Sequence, residues 1–190
     1  MKRYTVDFVT EKKQKLYYIQ DDETLDLALL PTKYLKHKVD ANRSPNTVRR
    51  IALSICYYMN YLTQDEMDLI EVTRLGFEEQ SRHFGQFLYW IKEGNHITDN
   101  RIAKTGNGTC NAYLKDVFGF FLYMADCGYA KPLRVLSYDQ ITVANAVGVR
   151  RKIRYQSFKG YLKEKDRDAR AAEEPEIMKI LKVCTNIRDH

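Results

Sequence analysis

The chain reads as a mainly α protein, a bundle of four to five helices preceded by a small N-terminal β-hairpin. Three observations predict this. Apolar residues recur at spacings of three and four over several long stretches. Those stretches open on capping residues and close on glycines. The first twenty residues instead hold two short runs rich in β-formers.

Taken in order, residues 3–9 and 15–20 are the two β-rich runs, with a polar turn between them. A lone hairpin is marginal in water, so this one is expected to pack on the rest. Pro31 prevents a long helix nearby, and residues 32–39 suit a short one. Ser44 then caps a helix with Pro45 in its first position, and Val48, Ile51, Ile55, Tyr58, Met59 and Leu62 form its apolar stripe. A second helix is expected over 73–93, striped by Phe77, Phe84, Phe87, Leu88 and Ile91 and stopped by Gly94. Residues 94–108 are a polar loop. Thr109 is expected to cap a third helix, which reaches Cys127 with Leu114, Val117, Phe121 and Met124 inward and Gly128 as its stop. A short fourth helix is expected over 138–147, and a last one over 175–185 with Ile177, Ile180, Leu181 and Cys184 on one face. The division that follows is a hairpin extension (1–24), a helical body (25–162), and a linker with the first helix of a further unit (163–190).

Hydrophobic residues make up 44% of the 190 residues and aromatics 12%, which supports a real core. No apolar run approaches the roughly 20 residues that span a bilayer. The start lacks a signal-peptide core, so a soluble, cytoplasmic protein is expected. Cys56, Cys110, Cys127 and Cys184 form no CxxC pair and read as reduced thiols. The histidines, His37, His83, His96 and His190, are scattered, no metal-ligand spacing is present, and no cofactor is expected. Net charge is +6. The stretch 148–163 carries Arg150, Arg151, Lys152, Arg154, Lys159 and Lys163 with no acid, so it alone equals that excess.

The order of elements resembles a known family. One helix opens Ser-Pro-Asn-Thr-Val-Arg-Arg and a second ends Phe-Leu-Tyr-Trp-Ile-Lys-Glu-Gly. A third runs from Gly-Asn-Gly-Thr-Cys-Asn-Ala-Tyr-Leu to Phe-Gly-Phe-Phe-Leu-Tyr-Met-Ala-Asp-Cys-Gly. This is similar to the core-binding (SAM-like) domain of tyrosine recombinases and phage integrases, matching at Ser44, Thr47, Thr109 and residues 120–128. Asn186, Arg188 and Asp189 resemble the element that opens the family's catalytic domain. The resemblance covers roughly residues 30–190. It implies a clamp on double-stranded DNA, serving integration and recombination together with other recombinase protomers. It also implies that this chain is no enzyme, because the catalytic Arg, Lys, His and Tyr context is absent. A fragment ending inside the next domain's first helix, monomeric by itself, is the expectation.

Three surfaces are expected to meet DNA. The first is the start of the Ser44 helix, with Asn46, Thr47, Arg49 and Arg50; helix N-termini offer free N–H groups and partial positive charge to phosphate. The second comprises Lys104, Thr105, Asn107, Thr109, Asn111 and Lys115, where Gly106 and Gly108 let phosphate approach the backbone and Asn111 could reach an adenine edge. The third is Arg150, Arg151, Lys152 and Arg154, suited to tracking the sugar-phosphate backbone. Capped, solvated helix ends and a solvated charged run are the plain alternatives. In functional terms the rival is a helical protein–protein adaptor. No phosphate-cradling fingerprint or nucleophile–base pair supports a small enzyme.

Overall fold

A computed structural model of the chain describes residues 3–11, 14–97, 105–144 and 150–164. The expected helix over 175–185, the Asn186–Asp189 element, Cys184 and Lys104 lie outside the described residues. The elements run β1 (Tyr4–Glu11), β2 (Gln14–Asp21), α1 (Leu29–Asp40), α2 (Pro45–Leu62), α3 (Leu69–Arg74), α4 (Phe77–Lys92), α5 (Asn107–Asp126), β3 (Ser137–Ala144) and β4 (Arg150–Ser157). The chain is therefore mainly helical with a small antiparallel N-terminal hairpin, as its apolar spacing predicts. Among the described residues no helix is long and apolar enough to cross a membrane.

β1 and β2 pair antiparallel, with Val6 opposite Ile19. The two-residue period turns Tyr17, Ile19 and Asp21 inward, with Tyr4 and Val6 half-buried beside them. Asn60 of α2 clips this hairpin down. Its Oδ1 accepts from the N–H groups of Arg3 (2.8 Å) and Tyr4 (2.9 Å), and its Nδ2 donates to the Tyr4 carbonyl (2.9 Å). The hairpin thus braces the bundle, which supplies the packing that two strands lack by themselves.

Ser44 caps α2 as expected, its Oγ accepting from the Thr47 N–H, and every residue of the expected stripe is buried. α2 lies at the centre, and its aromatic neighbours set the core. Tyr58, Phe84, Phe87, Phe118, Phe120 and Phe121 are all fully buried. The rings meet edge to face, Phe84 on Phe118 at 4.8 Å and Tyr58 on Phe87 at 5.0 Å, the arrangement their quadrupoles favour.

α1 starts at Leu29, so Pro31 sits in its first turn, where proline is tolerated, rather than before it. Two elements differ more deeply from expectation. The helix expected over 73–93 is two helices. Asp68 and Glu71 form a reciprocal capping box that starts α3 earlier. Leu75 then turns extended, and Glu79 Oε2 accepts from the Gly76 N–H to start α4. Phe77 consequently stands at an exposed first turn (58% exposed) rather than on the stripe. Of the helix expected over 138–147, residues 138–144 belong to the strand β3, paired antiparallel with β4, with Ile141 opposite Ile153 and Ala144 opposite Arg150, and residues 145–147 lie outside the described residues. Its run Ile141-Thr142-Val143 is β-branched, and such side chains lose rotamer freedom in a helix and fit a pleated strand.

Two further buried amides hold non-helical segments to the bundle. Gln80 Nε2 donates to the Val72 carbonyl (3.0 Å), while its Oε1 accepts from Arg134 (2.8 Å) and Val135 (3.2 Å). Asn111 does the same for residues 162–164, as described below.

His83 is buried, with Nε2 2.9 Å from the Tyr58 hydroxyl. Burial pushes its pKa down to about 4, with Asp65 pulling weakly the other way. The unfolded chain takes up this proton near pH 6.5, which the folded chain refuses until about pH 4. Stability is therefore expected to fall across that window, by on the order of 3 kcal/mol from this group alone. Asp116, whose pKa is raised by burial, acts in the opposite sense at the acid end. Thermal melts from pH 7 to pH 4 check this: His83→Gln should flatten the decline, and an unchanged profile would exclude His83 as its source.

Candidate nucleic-acid interface

Two of the surfaces expected to meet DNA lie on either side of α5. α2 packs antiparallel on α5, since Tyr57 meets Tyr113 (ring centroids 5.6 Å) while Arg50 and Ser54 both reach Asp116 further along. The start of α2 therefore lies by the second half of α5, away from the start of α5. Around the α5 axis, Tyr113, Asp116 and Phe120 face α1 and α2, whereas Asn107, Asn111, Lys115 and Phe118 fall on a stripe about 180° away. The first and second surfaces are not brought together.

At the first surface, Asn46, Arg49 and Arg50 are exposed and Thr47 is half-exposed. Pro45 has no N–H, and the Thr47 and Val48 amides are taken by Ser44. Asn46 is left as the exposed amide of this first turn. No acid occupies the first turn of α2, unlike α3 with Glu71 and α4 with Glu78 and Glu79. The positive end of the α2 dipole is thus uncompensated from within. Arg50 is partly committed, its Nη2 3.0 Å from Asp116 Oδ1, and Ser54 Oγ donates to the other carboxylate oxygen (2.9 Å).

The sequence reading missed the companions of this surface. The last turn of α1 and the corner after it bring Lys38 and Arg43 alongside. Burial lowers the Lys38 pKa and the charge of Arg43 lowers it further, while Asp116 opposes both. Lys38 Nζ sits 4.7 Å from the Tyr34 ring centre. Across residues 33–50 there are six Lys or Arg against one acid, Asp40, a signal nearly as dense as the later basic run. Among the described residues, the ion pair to Asp116 is the one that these cations make.

The second surface is used internally. α5 begins at Asn107 with Gly106 at its cap position, so Thr109 sits within the first turn and does not cap it. Asn111 is 2% exposed. Its Nδ2 donates to the Leu162 carbonyl (2.8 Å) and to Glu164 Oε1 (2.9 Å), and its Oδ1 accepts from the Leu162 N–H (3.0 Å). Asn107 Nδ2 donates to the Lys163 carbonyl (2.7 Å). Phe158 and Tyr161 pack on Phe118, and Lys115 Nζ lies 5.2 Å from the Tyr161 ring centre. Glu164 therefore supplies the anion at the α5 start, near Gly108. A buried amide with this many partners is not available to an adenine edge, and a carboxylate already sits where phosphate was expected. Thr105 is half-buried, its hydroxyl 3.4 Å from His96 Nε2. The helical body extends through this clip to Glu164.

At the third surface, Arg150, Lys152 and Arg154 take alternate positions on β4, with Arg151 between, opposite Ala144, Thr142, Gln140 and Val143 respectively. Ser137 and Ser157 close the base of this ribbon, their hydroxyls 2.6 Å apart.

Among the described residues, no group of three or more His, Cys, Asp or Glu is placed to hold a metal ion. Compared with family models, curated proteins and solved structures, the chain matches none.

Proposed function

We propose that this chain binds duplex DNA without cutting it, as a helical clamp module of the core-binding kind found in tyrosine recombinases. The observation that carries the reading is the segregation of charge. Residues 33–50 have six cations against one acid, whereas residues 16–32 and 51–73 have eight acids and no Lys or Arg. One pole of the bundle thus attracts a polyanion and the other repels it, which orients the protein before contact. The contact set is Lys38, Arg43, Asn46, Thr47 and Arg49, with Arg50 shared with Asp116. The β4 ribbon, Arg150 to Arg154, is a second, separate basic segment of the proposed set. The Asn107–Asn111 start of α5 is withdrawn from the set. Contacts of this type go to phosphate and position the protein without specifying a sequence.

A backbone-amide NMR titration with a generic duplex at low salt tests it. Shifts are expected at residues 38–50 and 150–154, with residues 21–29 and 62–71 unmoved. Shifts centred on the acidic segments, or none anywhere, would refute it and favour the adaptor reading.

A further inference from the structure

Two adjoining cavities run along the acidic pole. One, of about 560 Å³, is lined by Met59, Leu62, Met67 and Leu69 with Glu66 and Asp68. The other, of about 470 Å³, is lined by Leu27, Leu29, Leu30 and Pro31 with Asp21 and Asp26. Both include Arg3, Tyr4, Met59 and Leu69, so they form one groove between the hairpin, the start of α1 and the corner from α2 to α3. Met59, Leu62, Leu30 and Pro31 give it apolar lining, interleaved with polar groups. Leu27 (48% exposed) and Leu29 (66% exposed) both line it, two large apolar side chains turned to water.

Its rim is anionic. Of the eight acids in residues 16–32 and 51–73, five (Asp21, Asp26, Glu66, Asp68 and Glu71) line the groove. Among the described residues Arg3 is its one cation, and it pairs with Asp21 (2.8 Å) and Glu23 (3.8 Å). The bonds accepted by Asp68 and Glu71 come from backbone amides of the capping box, which leave their charge in place.

We propose that this groove docks an amphipathic helix of a partner protein, with a Leu- or Met-type stripe on the apolar lining and Lys or Arg along its flanks. That lining calls for apolar side chains at i, i+3, i+4 and i+7, the way a helix lays one face into a groove. The rim selects cationic flanks and rejects acidic helices, nucleic acid and anionic lipid alike. The groove lies at the opposite pole from the proposed DNA contacts, so its occupancy does not depend on them.

The test uses the intact chain and a labelled 18-residue model helix with leucines at i, i+3, i+4 and i+7 and lysines on both flanks. Two controls accompany it, one with glutamate for lysine and one with the leucines shuffled out of register. In fluorescence anisotropy, the lysine-flanked stripe should bind at least ten-fold more tightly than either control. Leu27→Thr with Leu29→Ser, both at exposed positions, should weaken it ten-fold or more without lowering Tm, and Glu66→Lys should weaken it through the rim. Equal binding of the shuffled peptide, or indifference to both sets of variants, would overturn the proposal. Self-association of the chain, abolished by the leucine variants, would make a second copy the occupant and overturn the assignment to a separate partner.

Discussion

Replacing Arg43 and Arg49 with glutamate is expected to weaken binding to any duplex by on the order of 100-fold near 0.1 M salt. Both side chains are exposed, and neither makes an ion pair among the described residues. The change should leave the melting temperature near its starting value, because exposed substitutions away from special features rarely exceed about 0.5 kcal/mol. Each lost phosphate contact should also lower the salt slope by about one, uniformly across sequences. Anisotropy titrations on two unrelated duplexes check both parts. A loss confined to one duplex would point to base recognition, and no loss would remove this pole from the interface.

Phe84→Ala is expected to cost about 3–5 kcal/mol, the range for removing a fully buried aromatic ring. Phe84 touches the rings of Tyr58 on α2, Phe118 and Phe121 on α5, and Phe158 just beyond β4. Its loss therefore opens a cavity where three parts of the chain meet. Against a total stability of roughly 5–15 kcal/mol, that threatens folding at 37 °C, with Tm falling by roughly 10 °C. Phe77→Ala is the matched control, expected within about 0.5 kcal/mol because its ring is mostly in water. Denaturant melts of the two variants separate them. Equal losses would mean that α4 begins earlier than described.

That pair of phenylalanines shows where the sequence was legible and where it was not. A period of 3.6 places both on one stripe, and it correctly located the buried faces of α2 and α5. It could not see that Gly76 and Glu79 restart the helix, because the break lies in the backbone and not in the apolar pattern. The Asp68–Glu71 box was readable and would have moved the start of α3. β3 was misread because eight residues with one apolar pair opposite each other carry little periodicity, and only the partner strand decides their state. The clips of Asn60, Gln80 and Asn111 were invisible. A buried amide looks like any polar residue until the distant backbone it serves is known, and for Asn111 that backbone lies 51 residues away. This is why the α5 start looked like an open phosphate cradle. The cations of Lys38 and Arg43 were in plain view. They were passed over because they straddle two elements, and only the corner between α1 and α2 joins them into one surface.

The salt dependence of binding to a random-sequence duplex bears most directly on the whole account. With about six phosphates neutralised, log K should fall against log salt with a slope near −5. A slope near zero, or no binding at low salt, would contradict the claim that the cationic pole engages a double helix.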